Sequence, residues 1–291
     1  MAFFYINNSF YKKFYIWIFN YMKICDAHND FLTSDYIEKE KMFKRLNKVG
    51  KICCAVFTTN KEFIVKDVKN FKNDIIDFKN LIFTIEDVGC FGLKDIEEII
   101  KLKPFACTIT WNYDNDYAGG SNGKYGLTEK GKILVKIFEE NKILIDTAHL
   151  NRKSFYSFIK LTKLPIFNSH SNIYNIHRHK RNLTDKQINA IVKSNGYLGI
   201  SLYQDFISNK NISSKDIALQ FDYLIKKFGY KNFGFGTDFF GIESDKLPTD
   251  IKSYEELNKV FYELKKLGYS KKIIRHIAYK NFIMFIDRLK K

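Results

Sequence analysis

Short apolar runs alternate along this chain with stretches whose hydrophobic positions recur every three to four residues. The runs fall at residues 24–27, 52–57, 81–85, 105–110, 143–146, 165–168, 198–202 and 233–236, eight in all. Their length and content of β-branched and aromatic residues predict strands. Helical periodicity occupies many of the intervals, at 35–47, 95–102, 128–141, 184–194 and 214–228. The segment Thr184-Asp185-Lys186-Gln187 has the form of a capping box, in which a hydroxyl and an amide side chain satisfy the open N–H groups of a first helical turn. Two further helices, at 254–267 and 271–289, would close the C-terminal end.

Alternating β and α units with short strands predict a parallel sheet covered by helices, an α/β fold. Eight units favour a closed (β/α)8 barrel of the TIM type over an open, doubly wound sheet. Neither a GxGxxG nor a GxxxxGK[ST] segment follows any of the runs, which weakens the dinucleotide-binding and P-loop alternatives. Three prolines and no Gly/Ser-rich stretch leave nothing to serve as a linker, so residues 22–291 read as one catalytic domain. Residues 1–21 read as an N-terminal extension or a mis-assigned start. Their apolar hexad 14–19 is too short to span a bilayer, and no small-residue cleavage site follows it.

Composition changes this picture little. The net charge of +16 comes from 48 basic and 32 acidic residues, with the lysines scattered among Asn, Ile, Phe and Tyr. A nucleic-acid-binding face would concentrate them, so a lysine-biased solvated surface is expected and no nucleic-acid partner. Cys25, Cys53, Cys54, Cys90 and Cys107 are odd in number and contain no CxxC pair. They predict free thiols in a reducing, cytoplasmic setting, and Cys53 and Cys54 should point to opposite faces of one strand. No membrane anchor is expected; a homodimer is compatible with the sequence.

The chemistry gathers at the ends of the predicted strands, where barrel enzymes carry their active sites. The first run leads into His28-Asn29-Asp30, and in extended chain His28 and Asp30 face the same way. The third leads into Glu86, the fifth into Asp146-Thr147-Ala148-His149, the sixth into Asn168-Ser169-His170, the eighth into Thr237-Asp238. A single His or carboxylate at such a place is ordinarily structural. Here three of only six histidines and two carboxylates share equivalent positions. Such a cluster is electrostatically costly without a cation. Nitrogen and carboxylate donors without thiolate suit zinc, with manganese, iron or cobalt as alternatives. Glu86, between the other pairs in barrel order, is the natural bridge: His28, Asp30 and Glu86 for one metal, Glu86, His149 and His170 for the other. A pair of ions would hold and acidify a shared water for attack on a carbonyl.

Taken in order, His-x-Asp, Ile-Glu, Asp-x-x-His, Ser-His-Ser, Arg-Asn-Leu-Thr-Asp and Gly-x-Asp-Phe resemble the renal (membrane) dipeptidase family of zinc peptidases, in its bacterial form. The similarity runs from about Lys23 to Arg288. It implies a binuclear zinc barrel that cleaves dipeptides with metal-bound hydroxide, Glu86 bridging and counted with Asp238 among the catalytic residues. Asp238 would carry a proton from water to the leaving amine, Arg181 would engage the substrate carboxylate, and Tyr203 would assist it. Where many relatives have Thr-x-Thr-His after the fourth strand, this chain has Thr108-Ile109-Thr110-Trp111-Asn112. Trp111 and Asn112, similar to a variant in some bacterial members, imply an altered substrate pocket. Position 240 is Phe rather than the usual Asp, and strand alternation would point it the same way as Asp238. His177, His179 and His276 are not expected as ligands.

Two other functions compete. An amidohydrolase-type barrel acting on small amides usually carries His-x-His on its first strand and a Lys on its fourth, and this chain has neither. A catalytically weakened, anion-binding barrel would not need an intact donor set.

Overall fold

A computed structural model describes residues 22–34, 49–58, 65–73, 75–76 and 78–290. The expected helix at 35–47 and the N-terminal segment 1–21 lie outside the described residues. The strands are β1 (Asp26–Asn29), β2 (Ile52–Phe57), β3 (Leu81–Glu86), β4 (Ala106–Thr108), β5 (Leu144–Asp146), β6 (Phe167–Ser171), β7 (Tyr197–Ile200) and β8 (Phe233–Phe235). They pair in chain order, all parallel, and Asp26 of β1 meets Phe235 of β8 to close the barrel. Helices α1 (Val65–Asn73), α2 (Leu93–Lys101), α3 (Glu129–Glu140), α4 (Arg152–Phe158), α5 (Asp185–Lys193) and α6 (Ser214–Phe228) return the chain between strands. After β8 come α7 (Asn258–Lys266), α8 (Lys271–Arg275) and α9 (Asn281–Leu289). This is the (β/α)8 barrel that the alternation predicts.

Local signals account for several boundaries. At α5 the box forms: the Gln187 N–H donates to Thr184 Oγ1, and the Thr184 N–H donates to Gln187 Oε1 at 3.1 Å. Ser213 and Asp216 repeat the device at α6, where the Ser213 N–H donates to Asp216 Oδ2 at 2.8 Å. Two strands start and end later than their apolar runs. β1 and β6 continue through Asp26-Ala27-His28-Asn29 and Asn168-Ser169-His170-Ser171, because the buried polar side chains find partners inside the fold. Asp26 accepts from Thr237 and Tyr254, and Asn168 donates to Thr147 Oγ1 at 3.1 Å. The single helix expected at 271–289 is broken by a π turn at His276–Lys280. There the Ala278 carbonyl accepts from the Cys25 N–H at 2.8 Å, while Asn281 donates to the carbonyls of Tyr230 and Phe233. Docking onto the barrel floor widens the helix at that point.

The apolar interior divides in two. One cluster draws Ala27, Cys53, Ala106, Leu144, Phe167 and Tyr197 from six different strands and Phe282, Phe285 and Ile286 from α9. Side chains from six strands can meet only inside the barrel, and most of these stand at strand starts. The second, larger cluster joins the helices to the outer sheet face and contains Cys54. Cys53 and Cys54 thus face opposite ways, and all five cysteines are free. Phe285 stacks on Phe167 with ring centres 5.6 Å apart, and α9 thereby plugs the N-terminal end. The C-terminal end is left for polar chemistry. No helix among the described residues is long and apolar enough to cross a membrane.

Candidate metal centre

At the C-terminal ends of β1, β3, β5 and β6 the chain buries five side chains named from sequence: His28, Asp30, Glu86, His149 and His170. Each is held by its own local device. Asp26, two residues before His28, accepts from the His28 N–H at 3.3 Å and the Thr237 N–H at 2.7 Å, tying β1 to the segment after β8. The Asp30 N–H donates to the Phe239 carbonyl at 3.0 Å and the Asp238 N–H to the His28 carbonyl at 3.1 Å, interleaving those two segments. Asp146 accepts from the N–H groups of Ala148 at 3.0 Å and Ser169 at 2.9 Å, bracing the turn that carries His149 against β6. His149 itself has φ 69° and Asp238 φ 63°, left-handed conformations that non-glycine residues adopt at a cost of about 1–3 kcal/mol. Gly199 and Gly236 let β7 and β8 close on β6, since a Cβ at either would run into the Ser169 carbonyl oxygen.

The donor atoms fall into two groups joined by Glu86. Its Oε2 lies 3.5 Å from His28 Nε2, which is also 3.3 Å from Asp30 Oδ2 and 3.8 Å from Asp238 Oδ1. Its Oε1 lies 2.7 Å from His149 Nε2 and 4.0 Å from His170 Nε2. The two Nε2 atoms of His149 and His170 are 2.9 Å apart. His149 Nδ1 lies 2.9 Å from Asn112 Oδ1, an acceptor, so its Nε2 carries the lone pair. His170 Nδ1 is engaged by Ser169 Oγ at 2.8 Å. These separations can be tested against a cation. Ligands about 2.0–2.2 Å from one ion can stand no more than about 4.4 Å apart, and every distance above is shorter. His28 Nε2 and Asp30 Oδ1 are buried and unpartnered, the condition of donors whose natural partner is a metal. The residues fit a metal, and the described residues offer three overlapping candidate sets: Glu86, His149 and His170; His28, Asp30 and Asp238; and His28, Asp146 and His170, in which Asp146 is also engaged by the N–H groups of Ala148 and Ser169.

The electrostatics follow from the crowding. Burial alone would lower His28, but the Asp30 and Glu86 carboxylates outweigh it and lift the imidazole well above its ordinary value. Burial would raise Glu86, yet His28 and His149 outweigh it and leave the carboxyl below the usual range. Burial and then the Arg181 charge pull His149 down to about 4. Burial, His28 and Arg181 do the same to His170, well below its ordinary value. Asp238 is pushed well above the carboxylate range by removal from water, reinforced by Asp30 and Glu86 and opposed by His28. One rim of the barrel therefore holds the neutral imidazoles of His149 and His170 beside a His28 ring held protonated by its carboxylates and a carboxyl, Asp238, able to keep a proton.

A cavity of about 610 Å³ opens over this cluster, lined by Arg181, Tyr203, Trp111, Asn112 and Asp238 among others. Arg181 is buried, its Nη2 donates to the His170 carbonyl at 3.4 Å, its Nε is unpartnered, and its guanidinium lies 5.3 Å from the Phe206 ring. Burial lowers it to about 10, leaving it cationic at neutral pH. The Tyr203 hydroxyl donates to Asp205 Oδ2 at 3.2 Å. Trp111 packs between Phe57 and His149, with ring centres at 5.4 and 6.0 Å, as a wall of the cavity. Asn112, assigned to substrate from sequence, lines the cavity and also turns its Oδ1 to His149 Nδ1 and the Ser121 hydroxyl, the latter at 2.9 Å. Phe240 does not follow strand alternation with Asp238: β8 has ended at Phe235, and Phe240 is left-handed at φ 70° on the rim. His276 pairs with Asn281 in the π turn, far from this chemistry in the fold. His179 and Phe206 also line the cavity, and Asp26, Asp146 and Ser169 brace the donors. The sequence alone assigns none of these five a role, although Asp26 and Asp146 are carboxylates inside apolar strands, a signal of a buried polar brace.

The sequence model of the membrane dipeptidase family (peptidase family M19) matches residues 80–290. The chain belongs to this family. It is a metal-dependent dipeptidase, and the matched stretch contains Glu86, His149, His170, Arg181 and Asp238, while His28 and Asp30 precede it. This dipeptidase is 29% identical over 192 residues to an uncharacterized protein in a pqqA 5′ region of Klebsiella pneumoniae, covering 62% of this chain and 70% of that one. It is 30% identical over 160 residues to an uncharacterized dipeptidase of Schizosaccharomyces pombe, covering 52% of this chain and 38% of the other. Among solved structures, its fold is similar to a metallo peptidase from Rhodobacter sphaeroides liganded with a phosphinate mimic of the dipeptide L-Ala-D-Ala, with a TM-score of 0.77, 18% identity, and 92% and 99% of the two chains covered. It is also similar to the probable dipeptidase PvdM from Pseudomonas aeruginosa, with a TM-score of 0.78, 15% identity, and 98% and 99% covered.

Proposed function

We propose that the dipeptidase works with two zinc ions, His28, Asp30 and Glu86 holding one and Glu86, His149 and His170 the other. The observation that carries this reading is the division of Glu86, whose two carboxylate oxygens face separate donor groups. The nitrogen and oxygen donor set, with no cysteine lining the cavity, favours zinc over softer thiolate-seeking ions. When bound, such a pair supplies Lewis acidity and a water acid enough to act as nucleophile at neutral pH.

The remaining steps belong to the chain's own residues. Arg181 receives the dipeptide's terminal carboxylate, which its unpartnered Nε and planar fork suit. Tyr203, which packs on the same Phe206 ring as Arg181, narrows that side of the cavity, and Trp111 forms a wall beside His149. Asp238 Oδ1 takes the proton released by the attacking water and returns it to the leaving amine, a role supported by its raised proton affinity. Asn112 orients His149 through Nδ1, so that Nε2 stays free as a donor. Five free thiols, four of them buried, favour a cytoplasmic setting.

Metal counting on protein reconstituted with zinc tests the reading. Two ions per chain are expected, falling to one or none in His149→Ala with the fold retained. A full-activity enzyme with one ion per chain would refute the bridge. Arg181→Lys should weaken dipeptides far more than their carboxyl-amidated analogues, and equal losses on both would remove Arg181 from its role.

A further inference from the structure

Beside the main cavity lies a second concavity of about 530 Å³, and Ser121, Asn122 and His179 line both. Five cations line this groove: Lys124, Arg152, Lys153, Arg178 and Lys180. Among the described residues no carboxylate does. In a chain with 48 basic and 32 acidic residues, five cations would on average come with about three carboxylates. Asp114, on the same loop as Lys124, turns its carboxylate to the backbone N–H groups of Lys124 and Tyr125. The head groups rest on neutral partners: Arg152 lies 4.4 Å over the Tyr174 ring, Lys153 Nζ donates to the Lys124 carbonyl at 2.9 Å, and Lys180 Nζ to Asn122 Oδ1 at 3.4 Å. Three segments remote in sequence, the 121–124 loop, the start of α4 and the turn before α5, thus converge their positive charge on one hollow. A hollow lined by one sign of charge focuses a field that an anion would neutralise.

Under the reading above, Arg181 in the main cavity takes the substrate's terminal carboxylate. The groove has no such task, yet it opens onto the same space. We infer that it is a subsite for an acidic side chain, so that the enzyme prefers dipeptides carrying a second negative charge at one of their two positions. This inference rests on the dipeptidase reading. The side-chain carboxylate would pass Ser121, Asn122 and His179 to reach the exposed Arg178 and Lys180.

The test compares kcat/KM of the zinc-loaded enzyme on Ala-Ala, Ala-Glu and Glu-Ala, in the native chain and in Arg178→Gln/Lys180→Gln. One acidic substrate is expected to be favoured about tenfold at low ionic strength, with the advantage shrinking at about 0.5 M salt. The double variant should remove that advantage through KM, with Ala-Ala changed less than about twofold. No acidic preference in the native enzyme, or equal losses on all three substrates, overturns the inference. If free glutarate inhibits Ala-Ala cleavage and the double variant relieves this without altering the Ala-Glu rate, the groove holds free anions and the side-chain assignment is overturned. If no dipeptide is cleaved, the dipeptidase reading fails separately. Calorimetry then decides the groove: Ala-Glu binding tighter than Ala-Ala only in the native chain upholds it, and equal binding overturns it.

Discussion

The two ends of this barrel are made by the same strands and obey opposite rules. At the N-terminal end Ala27, Cys53, Ala106, Leu144, Phe167 and Tyr197 close on Phe282 and Phe285 of α9, where the rings stack and the buried Tyr197 hydroxyl donates to the Phe235 carbonyl at 3.4 Å. A few residues further along, the same strands bury His28, Glu86, Asp146 and His170, with the unpartnered atoms His28 Nε2 and Asp30 Oδ1 among them. The first end is stable by itself, because apolar burial contributes about 25 cal/mol per Å² whatever the partner. The second is held by hydrogen-bonded braces and crowds donor atoms that a cation would satisfy. Its free energy is stored for use in binding and catalysis. What differs is one or two residues at each strand's C-terminal end.

Substitution at each end should therefore separate stability from activity. Glu86→Gln should lower kcat/KM by about 10⁴-fold, on the order of 5.5 kcal/mol of barrier, while the metal-free protein loses a much smaller part of its stability, the part due to the pairing of Glu86 with His28 and His149. A comparable loss of metal-free stability would mean that Glu86 acts as a structural brace. Phe285→Ala should do the reverse, costing about 3–5 kcal/mol of unfolding free energy with kcat retained in the folded fraction; a tenfold fall in kcat would couple the two ends.

Zinc at about a hundredfold excess over its Kd should add about 2.7 kcal/mol of stability, and this increment depends on pH. In the metal-free protein the pKa of His28 is raised, so its protonated form contributes stability that is full below the unfolded value near 6.5 and is lost as pH rises through the folded value. Metal binding requires the neutral ring, so zinc affinity should fall as the solution is made acid. The gap in melting temperature between loaded and metal-free protein should thus widen from pH 6 to pH 8, and a constant gap would take His28 out of the ligand set. The smallest effect expected is at Asn112→Ala, with about a 10–100-fold loss in zinc affinity or activity. The conservative Asn112→Asp should recover part of it. Unchanged metal affinity in Asn112→Ala would leave Asn112 with its place in the substrate pocket and no part in orienting His149.

How far these features could be read in advance depended on the range of the interaction. The β2 run at 52–57 and the α6 pattern at 214–228 are bounded where local periodicity bounds them. β1 and β6 are displaced by about two residues, because Asp26 and Asn168 look like strand-ending polar residues until their partners Thr237, Tyr254 and Thr147 are known. The same ignorance of partners hid the role of Asp146 and the occupation of Asn112 by His149 and Ser121. His28-x-Asp30 was legible because period-two geometry alone brings its side chains to one side. The sharing of Glu86 between two donor groups was legible from barrel order, but which of its oxygens faces which group was not, since that requires β1, β5 and β6 in register.

By itself the amino-acid sequence determined the alternation of strand and helix, the eight-unit barrel and the residue types at its rim, all of which follow from spacings of a few residues. Tertiary structure alone decided which oxygen of Glu86 faces which imidazole, that α9 should be broken from α8 by a π turn and plug the floor, and that cations from three distant segments share one groove. Each of those depends on chain segments tens to hundreds of residues apart meeting within about 4 Å, a distance that no local pattern encodes.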